Sequence, residues 1–115
     1  MNKVLEELAV VLEQRKSASS DSSYVASLHE KGLKKILEKV SEEANETIEA
    51  AKECENNSEE NKAAVVQETA DLWFHTMVML SHLDLGPEQV LNELENRFNV
   101  SGLKEKASRK IETNK

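Results

Sequence analysis

Leu33, Ile36, Leu37, Val40, Ala44, Thr47, Ile48 and Ala51 recur at the i, i+3, i+4, i+7 spacing that an α-helix alone gathers onto one side. Little in the chain opposes that conformation, since three Gly and one Pro are the whole complement of strong helix breakers in 115 residues. The spacing predicts a long helix from about Gly32 that stops near Cys54 to Asn57. A similar pattern at Val4, Leu5, Leu8, Val11 and Leu12 predicts an earlier helix from Asn2 to about Arg15. Between them the Ser-rich stretch Lys16 to Ser23 is expected to be a loop, mobile unless a ligand orders it. Asp21 to Ser23 offer caps there for a short helix through Tyr24 and Leu28. Ser58 is a candidate N-cap for a further long helix to about Asp84, and Gly86 with Pro87 ends it and starts a last one, Pro87 to about Phe98. The fold class is all-α, in one domain spanning 1–115.

The helix after Ser58 is apolar nearly all round. Ala63, Val66, Ala70, Trp73, Phe74 and Met77 share one face, while Leu72 and Met79 point roughly the opposite way at about 100° per residue. A chain of this length buries a modest core, so this helix is expected to need a partner for both faces, with Leu72 and Met79 at a homodimer seam. The net charge of −7 argues against general nucleic-acid binding, which relies on clustered Lys and Arg. No apolar run approaches the roughly 18 residues of a membrane span, and the acids at Glu6 and Glu7 interrupt what a signal peptide would need. With a single cysteine, Cys54, a reducing cytoplasmic setting is expected.

Chemistry is concentrated in two acidic patterns. Glu42, Glu43 and Glu46 form EExxE on the first long helix, and Glu68 with Asp71 form ExxD on the second. A helical wheel puts Glu43 and Glu46 at the rim of the apolar stripe with Glu42 further out, and Glu68, Asp71 and His75 at the margin of the Ala70 and Met77 face. An EExxE string alone is ordinarily a solvated helix face. Two such rims on helices that should pack against each other are different, because converging carboxylates repel unless cations neutralise them. Hard oxygen donors without cysteine or several histidines favour Mg²⁺, with Mn²⁺ as the alternative. A di-iron carboxylate bundle would use Glu-x-x-His, yet Ala26, Leu72 and Met79 stand three positions before His29, His75 and His82.

These motifs, with Ser23-Tyr24-Val25, Lys31-Gly32-Leu33, His75, and Ser101-Gly102-Leu103 to Glu105-Lys106-Ala107, resemble the phosphoribosyl-ATP pyrophosphatase family of histidine biosynthesis. EExxE followed after 21 residues by ExxD resembles the signature of the wider all-α nucleotide pyrophosphohydrolase group. The resemblance implies a four-helix-type bundle with a short C-terminal tail, completed by dimerisation. It also implies Mg²⁺ held by Glu42, Glu43, Glu46, Glu68 and Asp71, and hydrolysis of phosphoribosyl-ATP to phosphoribosyl-AMP and pyrophosphate. One departure is Ser41, where the pattern leads one to expect Gly.

Such a reaction needs the phosphate charge neutralised and a base for the attacking water, and Glu46, off the densest acid pair, is the candidate base, with Glu43 beside it. Lys35 and Lys39 fall toward the acidic rim and are candidate phosphate ligands, against the plainer reading of an i, i+4 ion-pair ladder such as Lys39 with Glu43. Arg97, Lys104, Lys106, Arg109 and Lys110 make a basic tail that could cover a phosphate, although a solvated terminus is the commoner role. His75 is read first as a packed residue and second as a hydrogen-bond partner of the site. The competing functions are a pyrophosphohydrolase of other nucleoside triphosphates and a non-enzymatic helical dimerisation module.

Overall fold

The computed structural model describes residues 3–56 and 58–98. Among these residues the chain forms five α-helices, one 3₁₀ turn and no strand: α1 (Val4–Arg15), α2 (Tyr24–Lys31), α3 (Leu33–Glu53), the 3₁₀ turn Cys54–Asn56, α4 (Glu59–His82) and α5 (Pro87–Phe98). The fold is all-α, as the periodicity requires. The Ser-Gly-Leu element at 101–103 and the tail residues Lys104, Lys106, Arg109 and Lys110 lie outside the described residues.

The helix boundaries follow from local chemistry. Ser23 accepts a hydrogen bond from the Ala26 amide at 3.2 Å and Ser58 from the Asn61 amide at 3.1 Å, each satisfying an amide that a helix start leaves orphaned. Gly32 joins α2 to α3 at φ 94°, a left-handed conformation in which a side chain is strained even though the space around it is open. Residues 16–22 form the expected loop, with turns at 16–17 and 20–22, and Lys16 ties it down through ion pairs to Glu13 at 3.0 Å and Asp84 at 3.1 Å. No helix among the described residues is long and apolar enough to cross a membrane.

The core is built from Leu12, Val25, Leu28, Ile36, Met77 and Val78, one or two from each of the first four helices. α3 and α4 run antiparallel as the main pair, tied where the Thr47 hydroxyl donates to the Glu43 carbonyl at 2.7 Å and lies 3.1 Å from that of Glu68. Two expectations are corrected here. The inward line of α3 is Ile36, Val40, Glu43 and Thr47, whereas Leu37 and Ile48 remain about half exposed. On α4, Leu72 and Met79 are half-buried, with Met79 packed against the core, and it is Val66 and Trp73 that face outward, 68% and 58% exposed. Both helices carry apolar arcs wider than one neighbour can cover, so the wheel shows the arc without showing which part of it the neighbour takes.

α2 and α4 also meet through two imidazoles, with His29 Nδ1 2.9 Å from His82 Nδ1. One nitrogen must donate and the other accept, so the bond exists only while the pair holds a single proton between these atoms. Burial, then His82 and Lys16, depress the His29 pKa, with Glu13 opposing. A histidine depressed in the folded state stabilises the fold above its unfolded pKa, near 6.5, and that contribution is lost as pH falls through the folded value. Thermal melts taken from pH 8 downward should therefore show a loss below about 6.5 that is partly reduced in His82→Gln, since burial, the larger cause, remains. Equal slopes in both proteins would contradict this role.

Candidate metal and active site

Five carboxylates converge where the middle of α3 crosses α4. One oxygen from each of Glu42, Glu43 and Glu46 lies within 4.8 Å of the others, and the same holds for Glu43, Glu68 and Asp71. Glu43 belongs to both groups and so joins the two motifs. The arrangement follows from helix geometry: positions 43 and 46 on α3 and 68 and 71 on α4 are each three apart, hence on adjoining turns of facing sides. Glu43 is buried, 7% exposed, while Glu42, Glu46 and Asp71 are exposed and Glu68 is half-buried. The Oε1 atoms of Glu43 and Glu68 are both buried without a hydrogen-bond partner among the described residues.

Such a cluster is electrostatically unfavourable by itself. Burial, with Glu46 and Asp71 adding to it, pushes the Glu43 carboxyl up, against opposing pulls from His75 and Lys39. Glu68 is pushed up in the same way, by burial and then by Glu46 and Asp71, with a hydrogen bond that its protonated carboxyl donates to Glu46 adding to the effect. Buried polar oxygens are ordinarily paired. Two orphaned carboxylate oxygens side by side, with three further carboxylates in reach, form a donor set suited to a hard divalent cation.

One side of the cluster is closed by a chain of hydrogen bonds. The His75 Nδ1–H donates to the Asp71 main-chain carbonyl at 2.8 Å, which leaves Nε2 of the neutral ring to accept from the Tyr24 hydroxyl at 2.9 Å. Tyr24 and Phe74 are near-parallel at 18°, and both meet His75 edge-on. Burial raises the Tyr24 pKa; nearby Lys39 lowers it, and Glu43, Glu42 and Asp71 raise it, so the hydroxyl sits in the field of the acids.

The structure brings all five predicted acids together but differs from the wheel at Glu43, which lies between the helices rather than on a rim. Lys39 adjoins the site, 3.2 Å from Glu42, where the plainer of its two readings paired it with Glu43. Lys35 pairs with Glu38 at 3.8 Å instead of reaching the acids, and Arg97 pairs with Glu93 at 3.0 Å. His75 is buried as expected, and its bond to Tyr24 was not foreseen. No sequence spacing links residues 24 and 75; the Ser23 cap fixes where α2 begins, and the family resemblance singles out both Tyr24 and His75 without pairing them.

An all-helical chain whose EExxE and ExxD motifs meet in one carboxylate cluster has the arrangement expected from its resemblance to the all-α nucleotide pyrophosphohydrolases. Residues 5–98 match the family model of phosphoribosyl-ATP pyrophosphohydrolase, and the chain belongs to that family. Membership supports phosphoribosyl-ATP pyrophosphohydrolase activity in histidine biosynthesis.

Proposed function

We propose that this chain cleaves phosphoribosyl-ATP between its α and β phosphates, giving phosphoribosyl-AMP and pyrophosphate, and that it does so with Mg²⁺, or Mn²⁺, held by Glu42, Glu43, Glu46, Glu68 and Asp71. The observation that supports the metal is the pair of buried, unpartnered oxygens on Glu43 and Glu68. Bound there, a divalent cation supplies charge neutralisation for the phosphate oxygens and a more acidic water. Glu46 accepts the proton of the attacking water in this reading, which its exposure at the edge of the cluster supports. Lys39 gives the phosphates a positive partner, for which it must leave Glu42, an exposed pair that holds it weakly. Lys35, engaged with Glu38, is the weaker candidate. A homodimer in a cytoplasmic setting completes the proposal, the former supported by the apolar side chains left outside on α4 and α5.

The test is pyrophosphate release from phosphoribosyl-ATP and from ordinary nucleoside triphosphates, each with Mg²⁺, with Mn²⁺ and with a chelator. Turnover of phosphoribosyl-ATP that the chelator abolishes is expected. Faster turnover of an ordinary triphosphate would overturn the substrate, and turnover that survives metal removal would overturn the role given to the acids.

A further inference from the structure

The acid cluster is flanked unequally along α3. At its C-terminal end an open groove between α3 and α4 adds Glu49 and Glu53 to the cluster's own Glu46 and Glu68, with Asn45 as a neutral polar member. Before its N-terminal end stand Lys39 and Tyr24. A polyanion anchored at the acids is repelled from the first side and drawn to the second. The part of the substrate beyond the anchored phosphates therefore extends over Tyr24.

Tyr24 is unusual for an exposed aromatic residue because it is held at its far end. The residue is 51% exposed, yet its hydroxyl donates to His75 Nε2 at 2.9 Å, and His75, 6% exposed, is itself fixed through Nδ1–H to the Asp71 carbonyl. Phe74 lies near-parallel to it with ring centroids 6.5 Å apart. A side chain fixed before the ligand arrives loses little conformational freedom on binding. Since the hydroxyl proton is engaged by His75, what Tyr24 offers a ligand is the ring.

We propose that Tyr24 is the stacking platform for the purine of the nucleotide, with His75 as the positioning residue that holds it beside the acids. This rests on the reading above, in which the acids hold the phosphates. Base on aromatic stacking is sequence-tolerant and substantial, so losing the ring weakens nucleoside binding by about tenfold.

The experiment compares Tyr24→Phe with Tyr24→Leu. Both lose the hydroxyl, so the difference between them isolates the ring. Three quantities are read: KM and kcat on phosphoribosyl-ATP, inhibition constants for AMP and for inorganic pyrophosphate, and Mn²⁺ affinity by calorimetry. Relative to Tyr24→Phe, Tyr24→Leu is expected to raise KM and the AMP constant by about tenfold, leaving kcat, the pyrophosphate constant and Mn²⁺ affinity nearly unchanged. Equal KM and AMP constants in the two variants would overturn the proposal. So would a rise in the pyrophosphate constant instead, which marks a phosphate contact, or a change in sedimentation, which marks a subunit contact. A wild-type protein that turns over no nucleotide defeats the reading of the acids as well, whereas an active wild type leaves the Tyr24 comparison to decide alone.

Discussion

Glu43→Gln should reduce turnover by roughly a thousandfold while the metal-free protein becomes more stable, two effects of opposite sign from one atom-for-atom replacement. Glu43 is the carboxylate shared by both oxygen clusters, so its loss weakens each at once. The stability gain follows from its pKa, which burial and then Glu46 and Asp71 raise in the fold. A carboxyl with a raised folded pKa stabilises the fold most below its unfolded pKa, and that contribution is lost as pH rises through the folded value. At neutral pH the charged form is thus the unfavourable one, and a neutral amide removes the conflict. Melting curves check this directly: without metal the variant should melt above the wild type, and added Mg²⁺ should raise the wild type far more than the variant. A variant that keeps its activity, or that melts lower without metal, would show that Glu43 is a structural ion-pair partner instead.

Trp73→Glu combined with Leu94→Glu should weaken self-association by at least a hundredfold and reduce activity in parallel. Leu5, Trp73, Met79, Leu80, Val90 and Leu94 line an apolar groove of about 330 Å³ where α1, α4 and α5 come together. Val90, Leu91, Leu94 and Phe98 on α5 and Val66 on α4 extend the exposed apolar surface around it. At about 25 cal/mol per Å2, a few hundred Å2 of such surface contributes several kcal/mol, before association entropy is set against it. A carboxylate placed in that seam is buried unpaired, which turns a favourable contact into an unfavourable one. Sedimentation at several protein concentrations, paired with turnover, measures both effects. A wild type that is a fully active monomer at micromolar concentration would remove the homodimer. Charges at Leu72 and Met79 should have a second effect: Met79 also lines this groove, and because both residues are half-buried within the chain and Met79 packs on the core, they would in addition lower the melting temperature of the single chain itself.

The elements and their ends were legible in the sequence because they are set locally. Ser23 and Ser58 cap where a hydroxyl can reach the amide three residues on, and Pro87 opens α5 because its missing amide and fixed φ suit a first turn. The acids were legible as a triplet, EExxE, and a pair, ExxD, for a related reason: residues three and four apart on a helix are neighbours whatever surrounds them. Their meeting follows from the cost of clustered charge, and both motifs lie within the residues 5–98 that match the family.

Which side of each helix faces inward was decided by the tertiary structure alone. Glu43 lies between α3 and α4 while Leu37 and Ile48 are left outside, because an apolar arc broader than one interface can be turned either way. The choice depends on what the neighbouring helix presents. The bond from Tyr24 to His75, across 51 residues of sequence, is of the same kind: helix spacing relates residues within one helix, and contact between two helices depends on the angle and register at which they pack. The sequence by itself thus determined the helices, the acidic motifs and the family. The packing determined that one of those acids is buried and unpaired, and that an otherwise ordinary tyrosine is fixed beside it.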